Sequence, residues 1–312
     1  MEKLECKRIW KGFWQLADPR IWIASTIPVL IGGALAYAVG KSFDIFWFFV
    51  SLAALYLIET GKNAVNEVVD YKSGVDRDID EDKKTPFSGG KKTIVQGKLS
   101  VREAGAIAVL TLGAACLIGL AIILFREFNI LWIGMAGVVL SVAYSLPPIK
   151  LAYRGFGEAT VGITFGPLIM TGIYLVMTHS FDWRVLIASL PVGFLIANVL
   201  WINQYPDYET DKGGNKRNWV VRLGKKKALK GYALLFMLAF VSVAVAALVY
   251  MNPFILLGLA GAPLAMKAVK IARVQYDDIP KLMASNALTI QTYQLTGAGL
   301  FLGVLLGGWV FG

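Results

Sequence analysis

The stretch NEVVDYKSGVD, residues 66–76, follows a long apolar run and sets an asparagine and carboxylates where lipid should be. A second stretch, NQYPDYETD at residues 203–211, repeats the four-residue step from Asn203 to Asp207 and adds Asp211 a further four residues on. Residues four apart share a helix face. Lys62, Asn66 and Asp70 therefore form one polar stripe at the end of an apolar segment, with Glu59 one turn deeper, and Asn203, Asp207 and Asp211 form another. An ionisable group at such depth costs roughly 2.5 to 3.5 kcal/mol on insertion scales unless it is paired or faces a wet cavity, so function is the default reading. Mutual neutralisation of Glu59 and Lys62 across one turn is the bland alternative. It leaves Asn66, Asp70 and Asp76 without a reason.

The rest of the chain supplies the setting. Of 312 residues 56% are hydrophobic and 17% charged, and the mean hydropathy is +0.60, which is too apolar for an ordinary soluble domain. Apolar runs long enough to cross a bilayer recur near residues 21–39, 43–65, 103–125, 129–146, 158–178, 184–203, 229–250, 252–272 and 287–311. They predict about nine spans. No small-residue cleavage site precedes a soluble body, so the first span is expected to stay.

The net charge of +10 does not point to nucleic acid, because its distribution alternates with the spans. Of the 31 Lys and Arg residues, 27 fall in segments 1–20, 71–102, 147–156, 205–230 and 266–281. By the positive-inside rule the N-terminus and these loops are cytoplasmic, and an odd number of spans leaves Gly312 outside. Cys6 and Cys116 are too few for a disulfide framework and lack metal-ligand spacing. His179, the sole histidine, falls in an outer loop, which excludes histidine-based metal binding or base catalysis.

Two clusters of carboxylate and amide oxygens without His or Cys suit a hard cation such as Mg²⁺, and Mg²⁺ in turn points to phosphate. A diphosphate needs bridging cations to approach several carboxylates, and nearby basic residues complete its neutralisation. Lys83, Lys84, Lys91 and Lys92 follow the first cluster; Lys212, Lys216, Arg217 and Arg222 follow the second. Contact with anionic lipid head groups is the alternative role for any one of these lysines. Pro206 removes a backbone donor inside the second stripe, predicting a kink or helix end there. The segment TPFSGGKKTIVQGKLS, residues 85–100, carries Pro86, Gly89, Gly90 and Gly97 and cannot be one continuous helix; it reads as a folded cap.

NEVVDYKSGVD, TPFSGG (85–90), YSLPPIKLAYRGFGE (144–158) and NQYPDYETDKGGNKRNWVVRLG (203–224) together resemble the UbiA superfamily of intramembrane prenyltransferases, and within it the 1,4-dihydroxy-2-naphthoate polyprenyltransferases. The resemblance covers nearly the whole chain. It implies one all-α polytopic domain over residues 1–312, with about nine helices around a central cavity and a cytoplasmic cap made of loops 71–101 and 205–228. It implies Mg²⁺ and a prenyl diphosphate held by Asn66, Asp70 and Asp76 on one side and by Asn203, Asp207 and Asp211 on the other, with Asp70, Asp207 and Tyr144 at the reaction centre. Lys62, Lys150, Arg154, Lys212, Lys216 and Arg222 would neutralise the diphosphate. Glu67 stands where the family often has Asp, Pro206 where Arg is common, and Asn215 and Asn218 where a GKxT segment has Gly and Thr.

Loss of diphosphate from an allylic carbon leaves a cation that must be kept from water and that aromatic faces stabilise. Tyr56, Phe165, Tyr174 and Tyr293 are candidates for that lining, and Gln291 and Gln294 for contact with an aromatic acceptor, as against ordinary packing and helix-to-helix hydrogen bonds. The expected partners are a prenyl diphosphate, an aromatic acceptor and membrane lipid. A UbiA-type enzyme acting on another quinone precursor, on a glycerol phosphate ether lipid or as a terpene cyclase is the nearest alternative. A cation-coupled transporter is the alternative from another class. It explains the stripes but not the clustering of carboxylates beside basic loops.

Overall fold

The computed structural model describes residues 2–73, 91–145 and 147–310, without the side chains of residues 2–4, 70 and 73. Every regular element among them is helical. In chain order they are α1 (Glu2–Ala17), α2 (Ile23–Ala38), α3 (Ile45–Ser73), α4 (Val101–Phe125), α5 (Ile130–Ser145), α6 (Gly157–Ile163), α7 (Ile169–Thr178), α8 (Trp183–Asn203), α9 (Tyr208–Gly213), α10 (Trp219–Leu223), α11 (Lys225–Val249), α12 (Ala262–Gln275) and α13 (Ile279–Val310). A π-helical turn, Thr164–Leu168, joins α6 to α7, and a 3₁₀ segment, Pro253–Gly261, leads into α12. Pro167 has no N–H to continue the α-helical ladder, which accounts for the wider turn there.

The expectation of about nine spans is met in part. Among the described residues seven segments are long and apolar enough to cross a membrane, and α2 and α5 are shorter apolar helices of 16 residues each. This is an integral membrane protein. Packed neighbours form a circuit: from α3 through α4, α5, the α6–α7 span, α8, α11, the Pro253–Gln275 span and α13 to α2, which returns to α3. Contacts of α2 with α7 and of α8 with α13 brace it across. On α13, Gly299 and Gly303 lie directly on the 3₁₀ segment and Gly307 on the side chain of Asn252 in the preceding turn, which donates to the Gly303 carbonyl at 3.0 Å. Small residues let backbones approach where lipid supplies no hydrophobic drive.

The two ends of the bundle carry different chemistry. At one end Arg126 donates to the carbonyls of Val176 and Met177, Ser42 donates to Met177, and His179 faces Glu127 at 3.1 Å. At the other end lie the basic segments. Helix α1, which the basic residues of segment 1–20 alone did not announce, is tied there: Arg8 forms a two-pronged pair with Glu103 at 2.6 and 3.0 Å and also donates to the Lys98 carbonyl at 2.8 Å. Lys91 meets Asp18 at 2.5 Å, and burial of Asp18 is outweighed by Arg20 and Lys91, which hold its carboxyl below the usual range. Ser100 and Glu103 form a reciprocal capping box at the start of α4, a device of about 1 kcal/mol.

The segment expected to fold as a cap is described from Lys91 onward, and there it is a series of turns, not a helix. Its anchor is Glu67, buried on α3, which accepts from the Thr93 hydroxyl at 2.8 Å and the Ile94 N–H at 2.9 Å. Replacing Glu67 by alanine strands both donors, at a cost of about 1 to 3 kcal/mol for buried groups left unpaired. The Glu67→Ala protein is expected to melt at lower temperature in detergent and to be cut faster by trypsin at Lys91 and Lys98. Unchanged melting and cleavage would contradict this anchoring.

Candidate active site

The second stripe is broken, as Pro206 predicts. Helix α8 ends at Asn203, a turn carries Gln204–Pro206, and Asp207 opens α9, so Asn203, Asp207 and Asp211 occupy three settings and not one straight face. Asn203 accepts from the Asn286 amide of α13 at 2.8 Å. The Asp211 N–H donates to the Asp207 carbonyl at 2.7 Å, drawing the two residues into one tight turn. Asp211 is buried; it meets Lys216 Nζ at 3.1 Å and accepts from Asn218 Nδ2 at 2.7 Å.

Burial pushes the Asp211 carboxyl above the usual carboxylate range, against the pull of Lys216 and Asn218. Burial also disfavours the Lys216 ammonium, yet Asp211, Tyr144 and Asp207 hold its pKa above the ordinary lysine value.

The two asparagines that replace Gly and Thr are explained locally. Asn215 adopts a positive φ of 54°, the left-handed region in which asparagine is the best substitute for glycine. Asn218 holds Asp211 and also caps α10 by accepting from the Val221 N–H at 2.9 Å.

Tyr144, in the last turn of α5, shares this pocket. Its ring lies against the Gly157 position, where an added Cβ would stand 3.6 Å from Cε2, and its hydroxyl feels the charges of Lys216, Glu158 and Asp211. The 147–156 loop is fastened to the loop after α9. Arg217 N–H donates to the Tyr153 carbonyl at 3.0 Å, while Arg222 donates to the carbonyls of Arg217 at 2.7 Å and Arg154 at 2.9 Å. Gly155, with φ of +80°, lets Arg222 pass close, since a Cβ there would stand 3.1 Å from Nε. The Arg154 guanidinium donates to the Pro148 carbonyl at 2.8 Å. Arg222 thus ties the two loops together and Arg154 braces its own loop, whereas partly exposed Lys150, 4.9 Å above the Tyr153 ring, and exposed Lys212 keep their ammonium groups nearer the surface of the same region.

The first stripe lies on α3. Lys62 and Asn66 are exposed, and Asp70 follows on the same face; the Asp70 side chain and Asp76, with Lys83, Lys84 and TPFSGG, lie outside the described residues. Glu59 is buried and accepts from the Ser25 hydroxyl, with Lys62 acting on it through charge. Beside it Tyr56 shares a hydrogen bond with Thr26 at 2.7 Å and stacks on Trp22 at 4.4 Å, and Tyr293 donates to the Ala24 carbonyl at 2.7 Å.

Helix α13 joins the two stripes, because Asn286 touches Asn203 and Tyr293, two turns further, touches the α2 residues beside Glu59. Both stripes therefore lie at the basic end. Gln291 and Gln294 sit on the exposed side of α13 with Leu295 and Leu302, and Phe165 packs from the π-helical turn onto the core. Tyr174 is not brought to this end: it is buried near Gly40 and Thr178 at the opposite one, a position that its place in a span just before His179 and the outer loop would have foretold. Glu158, at the far end of the YSLPPIKLAYRGFGE stretch from Tyr144, was not singled out in the sequence, and the fold buries it beside Gly157, against which the Tyr144 ring lies.

Several known proteins are similar to this chain in sequence or in fold. The chain is 26% identical over 94% of its length to the 1,4-dihydroxy-2-naphthoate octaprenyltransferase of Bacillus subtilis, of which it covers 92%. It is 25% identical over 88% of its length to the 2-carboxy-1,4-naphthoquinone phytyltransferase of Synechocystis, covering 87% of that protein. Its fold is similar to that of a UbiA homologue from Aeropyrum pernix, with a TM-score of 0.68 at 18% identity over 91% of this chain and 98% of that one. It is also similar to a UbiA homologue from Archaeoglobus fulgidus bound to GPP and Mg²⁺, with a TM-score of 0.61 at 18% identity over 93% of this chain and 99% of that one. Residues 25–291 match the UbiA prenyltransferase family, and with the paired Asn/Asp motifs set at one end of a helical circuit, the chain belongs to that family of intramembrane prenyltransferases.

Proposed function

We propose that the protein transfers a polyprenyl group from an allylic prenyl diphosphate to 1,4-dihydroxy-2-naphthoate or a close aromatic relative, with Mg²⁺, at the end of the bundle that carries both motifs. The observation that carries the reading is the buried Asp211 between Lys216 and Asn218, within one turn of Asp207 and in the field of Tyr144. The naphthoate acceptor is supported by the names of the Bacillus subtilis and Synechocystis relatives, and the prenyl diphosphate and Mg²⁺ by the ligands of the Archaeoglobus fulgidus homologue.

The donor set fits Mg²⁺. Among the described residues no three His, Cys, Asp or Glu side chains form a metal cage. Mg²⁺ does not require one, since it is held by one or two carboxylates with waters and substrate phosphates. Asp207 and Asp211, with Asn203, would hold it on one side and Asn66, Asp70 and Asp76 on the other. Bound Mg²⁺ supplies charge neutralisation for the departing diphosphate. Lys216, partly exposed Lys150 and exposed Lys212 add fixed positive charge where negative charge develops on the leaving group. The apolar walls exclude water from the allylic cation. In this reading the basic end faces the cytoplasm, nine helices including the short α2 and α5 cross the membrane, and loops 71–101 and 205–228 form the cap.

The test uses purified protein with geranylgeranyl diphosphate and a panel of aromatic acceptors, with products identified by mass spectrometry. The expected product is a prenylated naphthoquinol that has lost its carboxyl group, formed with Mg²⁺ and absent after chelation. Product formed only on a glycerol phosphate acceptor would replace the naphthoate reading, and substrate accumulation in vesicles without diphosphate release would favour a transporter.

A further inference from the structure

Glu158 is a buried carboxyl in the first turn of α6, only 5% exposed, and neither of its carboxyl oxygens has a hydrogen-bond partner among the described residues. A buried polar group left in that condition is costly and rare in native proteins. Structural carboxylates elsewhere in this chain are satisfied: Glu67 by Thr93 and Ile94, Glu103 by Arg8 and Ser100, Asp182 by Arg184. Glu158 instead stands next to Gly157, against which the Tyr144 ring lies, and its charge reaches the Tyr144 hydroxyl, which also feels Lys216 and Asp211. A ligand that reaches this carboxyl must bring a donor. A diphosphate is anionic and carries no donor, and an isoprenoid tail has no polar atom. An aromatic acceptor brings hydroxyl groups.

Resting on the proposed naphthoate reaction, we infer that Glu158 is a catalytic residue that accepts the hydrogen bond of an acceptor hydroxyl and takes its proton during carbon–carbon bond formation. The ring carbon bearing the carboxylate attacks the allylic carbon, and the carbon–oxygen bond to diphosphate breaks with its electron pair leaving on diphosphate. The O–H pair of the adjacent acceptor hydroxyl flows into the ring as its proton passes to a Glu158 oxygen. Carbon dioxide then departs, its bonding pair restores the aromatic ring, and Glu158 returns the proton to the ring oxygen. Protons, electrons and charge balance, and no oxidant is needed.

Binding of two probes to the purified protein, without Mg²⁺ or prenyl diphosphate, separates this role from a structural one. The probes are 1-hydroxy-2-naphthoate and 2-naphthoate, which lacks the hydroxyl, and quenching of the nine tryptophans reports binding. Wild type is expected to prefer the hydroxylated probe by at least ~10-fold, because a site built to accept a hydroxyl hydrogen bond rejects the analogue without it. Glu158→Gln is expected to lose most of that preference, to lower kcat/KM for the acceptor by ~100-fold or more, and to leave KM for prenyl diphosphate and the Mg²⁺ dependence within about twofold of wild type. Glu158→Asp is expected to recover part of the preference.

Equal binding of the two probes by wild type would overturn the inference even if Glu158→Gln fails to fold. So would a Glu158→Gln protein that keeps the preference, or one whose defect lies in prenyl diphosphate or Mg²⁺ affinity. Wild-type protein that forms no prenylated naphthoate at all would instead sink the proposed function.

Discussion

Asp207→Ala is expected to lower prenyl transfer by about a thousandfold while the protein melts within a few degrees of wild type. Asp207 is only half-buried at the start of the six-residue helix α9, so truncating its side chain removes little packing. Its proposed contribution is electrostatic and tied to the leaving diphosphate, and the loss of one such group typically costs ~10²- to 10³-fold in turnover. Asp211→Ala should differ in kind. Asp211 holds Lys216 at 3.1 Å and Asn218 at 2.7 Å, so its removal leaves a half-buried ammonium and a buried amide without their partner. We expect a loss of roughly 2 to 4 kcal/mol in stability besides the loss of turnover, at the low end because the Lys216 side chain remains 30% exposed. Initial rates of product formation and melting curves in the same detergent read both quantities. Near-normal turnover in Asp207→Ala would remove the second motif from the reaction.

Gly303→Val is expected to be the most damaging substitution for the fold outside the site. A Cβ at Gly303 would stand 2.2 Å from the Phe254 carbonyl oxygen and 2.9 Å from the Ile255 Cα, both backbone atoms that cannot rotate away. Gly299 repeats the relation with the Leu257 carbonyl at 2.3 Å. Accommodating even one methyl group requires α13 to separate from the Pro253–Gly261 segment, which also breaks the Asn252 hydrogen bond to the Gly303 carbonyl. Overpacking of this kind costs about 3 kcal/mol, the upper end of its usual range, because the obstruction is main chain. The loss should appear as a lower melting temperature and as aggregation on extraction. Substitution at Gly113, which meets nothing within 4 Å, provides the control and should leave melting unchanged. Equal melting of the two variants would disprove the close approach.

Hydropathy made the membrane character and seven of the spans legible, because twenty-residue apolar runs have few other meanings. The paired motifs were legible for the same reason in reverse, since amides and carboxylates at helix ends are costly without a task. What stayed hidden depended on tertiary contact. Glu67 reads as one more acidic residue of the first motif, yet it faces away from the exposed side that carries Lys62 and Asn66 and ties down the segment beginning at Lys91. Arg154 and Arg222 read as anion ligands, but the Arg154 guanidinium braces its own loop through the Pro148 carbonyl and that of Arg222 binds carbonyls of two loops that meet only in the folded chain. Glu158 could be singled out only once its burial and its lack of a partner were visible.

The brevity of α5 has a bearing on the lipid around it. Sixteen residues rise about 24 Å, some 6 Å less than the hydrocarbon core of an ordinary bilayer, and on this helix only Ala143 is buried. In the proposed arrangement, with α5 crossing the membrane, acyl chains next to it would shorten or splay to meet its ends, dimpling the leaflet locally. Tyr144 sits in the last turn of that helix, so such a dimple would bring lipid head groups close to the proposed reaction centre.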